Sequence, residues 1–297
     1  MIVNGVAIDD SFAEAFGMRA TRLVITADTA QWAKTAATSM TGFATSVIGC
    51  GCEAGIERSL TPARTPDGRP GVAVLIFAVS SADLAKQVGL RVGQSVLTSP
   101  GSACFSGLDA EETVPLGKTL RFFGDGNQTS KRVLGRRYWR IPVMDGEFLV
   151  EDTAGMVRAV GGGNFLVLAR SRAAGLAATE RAVAAIRRLP NVILPFPGGI
   201  VRSGSKVGSK YKGLVASTND AYCPTLRGAV ASRLGPEIGA VFEVVIDGLA
   251  EADVRAAMRA GIAAVCEAGE AGIVAVTAGN YGGKLGKFHL PLREIMG

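Results

Sequence analysis

The chain has 297 residues, of which 48% are hydrophobic, and its 32 Lys and Arg against 26 Asp and Glu give a net charge of +6. This length and apolar content suffice to bury a large core, so composition excludes an intrinsically disordered protein. At roughly 150 residues per domain, the length predicts two domains. Apolar runs fall short of the roughly 18 residues that a membrane span requires, so no membrane association is predicted.

The first half of the chain predicts two successive β-α-β units. In chain order they are strand 22–27 (RLVITA), helix 30–38, strand 45–48, strand 71–79 (GVAVLIFAV), a helix ending near residue 94, and strand 96–98. Ser81 is expected to cap the second helix.

A hairpin is predicted between the two halves of the chain. Residues 119–123 and 138–143 have the apolar and β-branched content of strands, and Asp145-Gly146 is typical of a tight turn. We place the lobe boundary here. The N-terminal lobe then covers residues 1–145 and the C-terminal lobe covers residues 146–297.

The second half of the chain repeats the order of the first. Its elements are strand 164–169 (NFLVLA), helix 173–189, strand 191–194, strand 240–246 (AVFEVVI), helix 251–268 and strand 273–276. Each half therefore has the β-α-β-β-α-β order of the split βαβ motif. The predicted fold class is α+β, with two ferredoxin-like α/β-sandwich lobes related by internal duplication.

The two halves differ by an insertion rich in Gly, Ser and Lys at residues 195–226. Long polar insertions inside compact domains are more often functional than idle. Backbone N–H groups and lysines of this segment are suited to bind an anion, and the alternative is a flexible surface loop. The candidate substrate-binding residues here are Gly198, Gly199, Ser205, Lys206, Ser209, Lys210, Asn219, Asp220, Tyr222 and Cys223.

Basic residues are concentrated in segments 118–140 and 153–219, where Asp125 and Glu180 are the only acids. This asymmetry favours an anionic partner, and the alternative is a solvated basic face. Nucleic acid is not predicted as a partner, because the aromatic signature of an RRM is missing.

A second Gly-rich segment, residues 277–284 (TAGNYGGK), directly follows a predicted buried strand. Its glycines would let a ligand approach the backbone closely, which makes Asn280, Tyr281 and Lys284 candidate binding residues. The alternative is an ordinary Gly-rich turn. Neither Gly-rich segment completes the P-loop pattern, so ATP is not predicted as a ligand.

Glu243 is the candidate catalytic residue, because it interrupts the apolar strand 241–246. A carboxyl group among apolar neighbours should have a raised pKa, which suits a general acid or base near neutral pH. The alternative is an edge-strand Glu that faces solvent. Cys223 is a weaker candidate, as a nucleophile, because no histidine accompanies it. The single histidine, His289, is expected to be structural.

The compartment is predicted from the cysteines and the N-terminus. The five cysteines are odd in number and include no Cys-x-x-Cys, so neither disulfides nor a zinc site is predicted. The first ten residues lack the features of a signal peptide. We therefore expect a cytoplasmic protein without a metal.

Several long and unusual segments extend over the whole chain, namely residues 12–16, 41–48, 53–57, 65–71, 122–126, 146–152, 162–165, 195–201, 205–210, 216–224 and 278–286. In these segments the chain resembles the formylmethanofuran:tetrahydromethanopterin formyltransferase family. The basic, Ala- and Arg-rich composition is more similar to the transferase subunit of a bacterial formyltransferase/hydrolase complex than to the archaeal enzymes.

The resemblance implies an enzyme of one-carbon metabolism that moves a formyl group between a furan carrier, methanofuran or methylofuran, and tetrahydromethanopterin. It implies no tightly bound cofactor. It also implies a cytoplasmic homo-oligomer, expected to be a homotetramer, with other complex subunits as possible partners. Both carriers are anionic, so the basic clusters 202–212 and 131–140 are the expected sites for their tails.

Formyl transfer between two nitrogens passes through a tetrahedral intermediate, which requires donors for its oxyanion and a group that moves protons. We expect backbone N–H groups of a Gly-rich loop for the first and Glu243 for the second. An alternative hypothesis is a non-catalytic scaffold subunit that binds the furan carrier within a complex. A basic RNA-binding protein is a remote third hypothesis.

Overall fold

The computed structural model describes all 297 residues as a mixed α/β protein. The strands are β1 Ile2–Val3, β2 Val6–Ile8, β3 Phe12–Thr26, β4 Glu53–Leu60, β5 Gly71–Ala78, β6 Ala103–Ser106, β7 Thr113–Pro115, β8 Thr129–Val133, β9 Arg136–Val143, β10 Gly146–Glu151, β11 Thr153–Ala169, β12 Val192–Ile193, β13 Lys206–Val207, β14 Ala216–Ser217, β15 Ala240–Gly248, β16 Ile273–Thr277 and β17 Phe288–Pro291. The helices are α1 Ala30–Thr41, α2 Val47–Cys50, α3 Ser81–Arg91, α4 Gly117–Leu120, α5 Arg172–Ile186, α6 Glu251–Cys266 and α7 Leu292–Met296. None of these helices has the length and apolar character needed to cross a membrane.

The chain divides into two compact units. A central unit consists of residues 18–159, and a terminal unit combines residues 1–17 with residues 160–297. The predicted lobes, 1–145 and 146–297, divide the sequence at the turn between β9 and β10, and that division stays a prediction.

The central unit contains a sheet in the order β4-β5-β3-β6-β10-β9-β8. The four strands β4, β5, β3 and β6 pair antiparallel, and β10 joins β6 in parallel. Alternate residues of β3 and β5 pack under α1 and α3, where small side chains of α1 such as Ala33 and Ala37 let the helix approach the sheet. Val24 and Phe105 lie on the opposite face.

The terminal unit contains a sheet in the order β12-β15-β11-β16-β2-β1. The strands β12, β15, β11 and β16 pair antiparallel, and β2 joins β16 in parallel. Phe165, Val167, Val244 and Ile246 point to the face that α5 and α6 cover. A β-carbon at Gly163 would collide with Val254 of α6, at 2.2 Å, so only glycine permits this close packing.

Most predicted elements occur in the structure, and the hairpin at Asp145-Gly146 is confirmed by the pairing of Val143 with Gly146. The predicted cap of α3 is wrong by one position. Ser80, rather than Ser81, accepts the N–H of Asp83 at 3.1 Å.

Three predicted strands are wrong, because local hydrogen bonds produce helical turns there instead. Residues 45–48 overlap α2, which Ser46 caps, and the second strand is β4. Residues 96–98 lie at the end of the π-helical turn Val92–Val96, in which Leu97 N–H donates to Val92 O at 2.9 Å, and the next strand is β6, further along the chain at Ala103–Ser106. Residues 119–123 fall in α4 and a 3-10 turn, with Phe122 and Phe123 exposed.

Candidate functional site

Glu243 lies near the start of β15, in the terminal unit. Its backbone is paired on both sides. Leu166 of β11 is its partner on one side, and Val201 exchanges two backbone hydrogen bonds with it on the other, at 2.8 and 3.0 Å. The interpretation as an edge-strand Glu facing solvent is therefore wrong. Because side chains alternate along a strand, Glu243 faces away from α5 and α6.

The insertion covers the face of the sheet that Glu243 occupies. Leu234 and Ile238, which follow the insertion, are buried against Leu166 and Leu168. A small pocket of about 30 Å³ remains above the strand. Its lining includes Glu243 together with Arg202, Gly204, Asn219, Tyr222 and Cys223. Three of the predicted substrate-binding residues thus share one pocket with the predicted catalytic residue.

Burial raises the pKa of Glu243 to about 7. The direction agrees with the prediction from the apolar strand. Since the pKa is close to neutral pH, both the acid and the carboxylate are populated there, as a group that alternately accepts and donates a proton requires.

Tyr281 belongs to the same site. Burial chiefly raises the pKa of its phenol, the negative charge of Glu243 raises that pKa further, and a hydrogen bond with Ser205 opposes both. The phenol therefore stays protonated at neutral pH and remains a hydrogen-bond donor. Its ring also packs against Phe16 at a centroid distance of 6.1 Å.

A buried carboxylate, Glu14, organises the loop that carries Tyr281. Its two oxygens accept the backbone N–H groups of Tyr281, Gly283, Leu285 and Gly286 at 2.6 to 2.8 Å. Burial by itself would raise the pKa of Glu14, but the four hydrogen bonds outweigh it and lower the pKa. Sequence reasoning missed this residue. Its available signal was an acid inside an otherwise apolar strand start.

Side-chain amides fix the beginning of the same loop. Asn164 donates to the carbonyl of Gly279 at 3.1 Å and accepts the N–H of Gly279 at 2.7 Å. Asn280 donates to the carbonyl of Phe12 at 3.2 Å and accepts the N–H of Gly282 at 3.1 Å. Asn280, a predicted substrate-binding residue, therefore has clear structural contacts.

Within the insertion, Lys206 forms an ion pair with Asp220 at 2.5 Å, and this contact lowers the pKa of Asp220. The pair connects the hairpin β13–β14 to the turn that precedes Tyr222. The structure thus joins two predicted substrate-binding residues to each other, and the lysine that was expected to bind an anion is paired with a carboxylate of the chain. Lys210 and Lys212 are exposed.

The other predicted site residues lie in turns. Gly199 has a φ of +87°, and a β-carbon there would come within 3.0 Å of Val183 and Leu194, whereas one at Gly198 would meet open space. Ser209 accepts the N–H of Tyr211 at 3.0 Å, and Lys284 is exposed.

Cys223, the weaker candidate for a nucleophile, and His289, the single histidine, both contact other residues of the chain. The Cys223 thiol donates to the carbonyl of Asn219 at 3.4 Å. His289 stacks against Phe12 at 5.1 Å, in line with a structural role.

Comparisons with known proteins agree along the whole chain. Residues 1–143 match a family described as formylmethanofuran-tetrahydromethanopterin formyltransferase, and residues 146–295 match its proximal lobe. A formylmethanofuran–tetrahydromethanopterin formyltransferase of Methylococcus capsulatus is 66% identical over the full length of both chains.

Two solved structures are similar as well. A chain of the formyltransferase/hydrolase complex of Methylorubrum extorquens, crystallised with methylofuran, is 55% identical with a TM-score of 0.97, covering 100% of this chain and 99% of that one. The formyltransferase of Methanosarcina barkeri is 46% identical with a TM-score of 0.93, covering 99% and 100%.

Proposed function

This chain belongs to the formylmethanofuran–tetrahydromethanopterin formyltransferase family, and we propose that Glu243 is its proton-transferring group. The enzyme transfers a formyl group between formylmethanofuran, or its methylofuran counterpart, and tetrahydromethanopterin. The observation that carries the proposal is the position of Glu243 in this pocket, where burial raises the pKa of its carboxyl group to about 7.

Two carriers must meet at the site for the reaction to occur. An amine nitrogen of the acceptor attacks the formyl carbon, and the C–N bond to the donor breaks after a tetrahedral intermediate forms. Holding both carriers in place removes much of the entropic barrier. Glu243 as the carboxylate takes the proton from the attacking nitrogen, and as the acid it returns a proton to the leaving nitrogen, so the enzyme ends in its starting state.

The oxyanion of the intermediate needs hydrogen-bond donors. Backbone N–H groups of a Gly-rich loop were the expected donors. In the loop 281–286, Glu14 accepts four of these groups and Asn280 accepts that of Gly282. We propose the protonated phenol of Tyr281 instead, because it lies close enough to Glu243 for its pKa to respond to that carboxylate.

The exposed basic residues are proposed to bind the anionic tails of the carriers. Lys210 and Lys212 of the insertion and Lys131, Arg132 and Arg137 of the β8–β9 hairpin make no ion pair and are open or partly open to solvent. The KM for the furan carrier should therefore rise with ionic strength, whereas an analogue without the tail should be indifferent to salt.

The strand orders support two ferredoxin-like lobes. In chain order, the strands β3, β4, β5 and β6 are arranged second-third-first-fourth across the central sheet, and β11, β12, β15 and β16 are arranged likewise in the terminal sheet. We propose that an internal duplication produced both.

We also propose that the chain is the transferase subunit of a cytoplasmic formyltransferase/hydrolase assembly, since the Methylorubrum extorquens relative is part of such a complex. In such an assembly we expect the formyl group to pass from the pterin to the furan carrier and then to hydrolysis. The homotetramer remains a proposal from family resemblance.

The first experiment is formyl exchange with the purified chain, formylated furan carrier and tetrahydromethanopterin, followed by the absorbance of the pterin. Turnover by this chain alone, and its loss in Glu243→Gln with both carriers still bound, is the expected result. Binding of both carriers without turnover would instead favour the scaffold hypothesis or a site completed by other subunits.

A further inference from the structure

The pocket of Glu243 has a counterpart on the sheet of the central unit. In the terminal unit, Leu166 of β11 pairs with Glu243 of β15, which pairs in turn with Val201. In the central unit, the segment equivalent to 164–169 is 22–27. Val24 is the third residue of that segment, as Leu166 is of 164–169, and it pairs with Ala73 of β5.

The strand segment on the other side of Ala73 and of Glu243 supports this equivalence. Arg58 of β4 pairs with Ala73, so it takes the position of Val201. The fourth strand in chain order of each lobe, β6 or β16, also supports this equivalence. Gly107 after β6 lies so close to Arg22 that a β-carbon would approach it to 2.6 Å, and Gly279 after β16 lies against Asn164 in the same way, at 3.1 Å.

At this place the central unit has an open pocket of about 480 Å³, a volume typical of small-molecule sites. Four arginines line it, namely Arg22, Arg58, Arg64 and Arg136. The only acid in the lining is Asp109, which is exposed and forms an ion pair with Arg136, and Arg136 is also paired with Glu151 at 3.2 Å.

The arginines differ in how their charges are balanced. Arg22 donates two hydrogen bonds to Glu57, at 2.7 and 2.8 Å, so the charge of its guanidinium is balanced within the protein. Arg58 reaches the same carboxylate only at 3.7 Å, and Arg64 is exposed without an ion pair. Arg58 and Arg64 therefore retain donors for a ligand.

The floor of the pocket is apolar and carries no acid or base. Val24, Leu60 and Ala73 form it, and Ala73 occupies the place that Glu243 has in the other unit. We propose that this pocket binds, without transforming it, a small organic anion that carries at least two carboxylate or phosphate groups. The guanidinium groups bind its charges and the apolar floor contacts its carbon skeleton.

The test is calorimetric titration of the full-length chain at physiological ionic strength with citrate, a tricarboxylate, and with fructose 1,6-bisphosphate. Binding of at least one of them with a Kd below about 1 mM is expected, and the tighter of the two identifies carboxylate or phosphate as the preferred group. Absence of binding of both compounds at millimolar concentration overturns the proposal.

The double variant Arg58→Ala/Arg64→Ala should weaken binding at least about tenfold, because each lost guanidinium removes a charge-assisted hydrogen bond. The matched control Lys34→Ala/Lys86→Ala removes two exposed charges from helices of the same unit and should leave the Kd unchanged. Equal weakening in both variants would show unspecific attraction to a basic surface and refute the site.

A second variant tests the floor without touching the arginines. Ala73→Glu introduces a carboxylate at the position that Glu243 has in the other unit. This carboxylate should form ion pairs with the arginines and exclude the ligand. Unaltered binding by a folded Ala73→Glu protein would contradict the assigned position. Unchanged melting temperatures of the arginine variants exclude unfolding as the cause of lost binding.

Discussion

Replacing Glu243 with glutamine removes a carboxyl group whose pKa burial raises from 4.5 to about 7. The folded state holds that proton more tightly than the unfolded state, so its contribution to stability is complete below about pH 4.5 and is lost as the pH rises through 7. At about 1.4 kcal/mol per pKa unit, and with allowance for residual contact with solvent, the loss amounts to about 2–3 kcal/mol at pH 8.

The assay is urea unfolding of wild type and Glu243→Gln at pH 5 and pH 8. Glutamine has the same shape and no proton to lose, so the variant should gain about 2–3 kcal/mol relative to wild type between the two pH values. Glu180→Gln is the control, because Glu180 is exposed on α5 and its replacement should leave the pH dependence as it is. A stability difference between wild type and Glu243→Gln that is constant with pH would refute the argument.

The same variant should lose kcat by about 10²- to 10⁴-fold, the range typical of removing a general acid–base group. KM for both carriers should stay near the wild-type value, and the pH dependence of kcat around 7 should disappear. A Glu243→Gln enzyme with wild-type kcat would exclude Glu243 as the proton-transferring group.

Three further predictions concern the residues around Glu243. Glu14→Gln keeps the shape of the side chain but leaves backbone N–H groups without acceptors. Thermal unfolding should therefore show a loss of stability of about 2–4 kcal/mol, and kcat should fall as well. An unchanged melting temperature would contradict this. Tyr281→Phe should lower kcat about 10- to 100-fold at constant KM, and a change in KM alone would assign Tyr281 to binding. Lys206→Ala should displace the turn at Asp220 and raise KM even at high salt, unlike Lys210→Ala, whose effect should vanish there.

Glu243 shows how far local pattern extends into the site. Strand alternation and apolar neighbours were enough to predict a raised pKa, because both depend on residues within a few positions along β15. The pocket itself was not predictable in this way. Its roof comes from the insertion, whose residues reach the strand only after the chain has folded back.

Glu14 is the opposite case. It binds N–H groups that follow it by 267 to 272 positions, and no local pattern reports such a contact. The ion pair of Lys206 with Asp220 was likewise hidden, because a lysine in a Gly-rich segment has the same sequence pattern whether it is paired or free.

The amino-acid sequence by itself determined the order of the main strands and helices, the mixed α/β class and the family, because periodicity and long motifs are local properties of the chain. Local and distant hydrogen bonds together decided that residues 45–48 and 119–123 form helical turns, since Ser46 caps α2 and the carbonyl of Asp152 accepts the N–H of Lys118 at the start of α4, which outweighs β propensity. Tertiary structure alone decided which carboxylate holds the Tyr281 loop and where the arginines of the central unit converge. Burial and charge balance at these places arise between residues far apart in sequence, so they exist only in the folded chain.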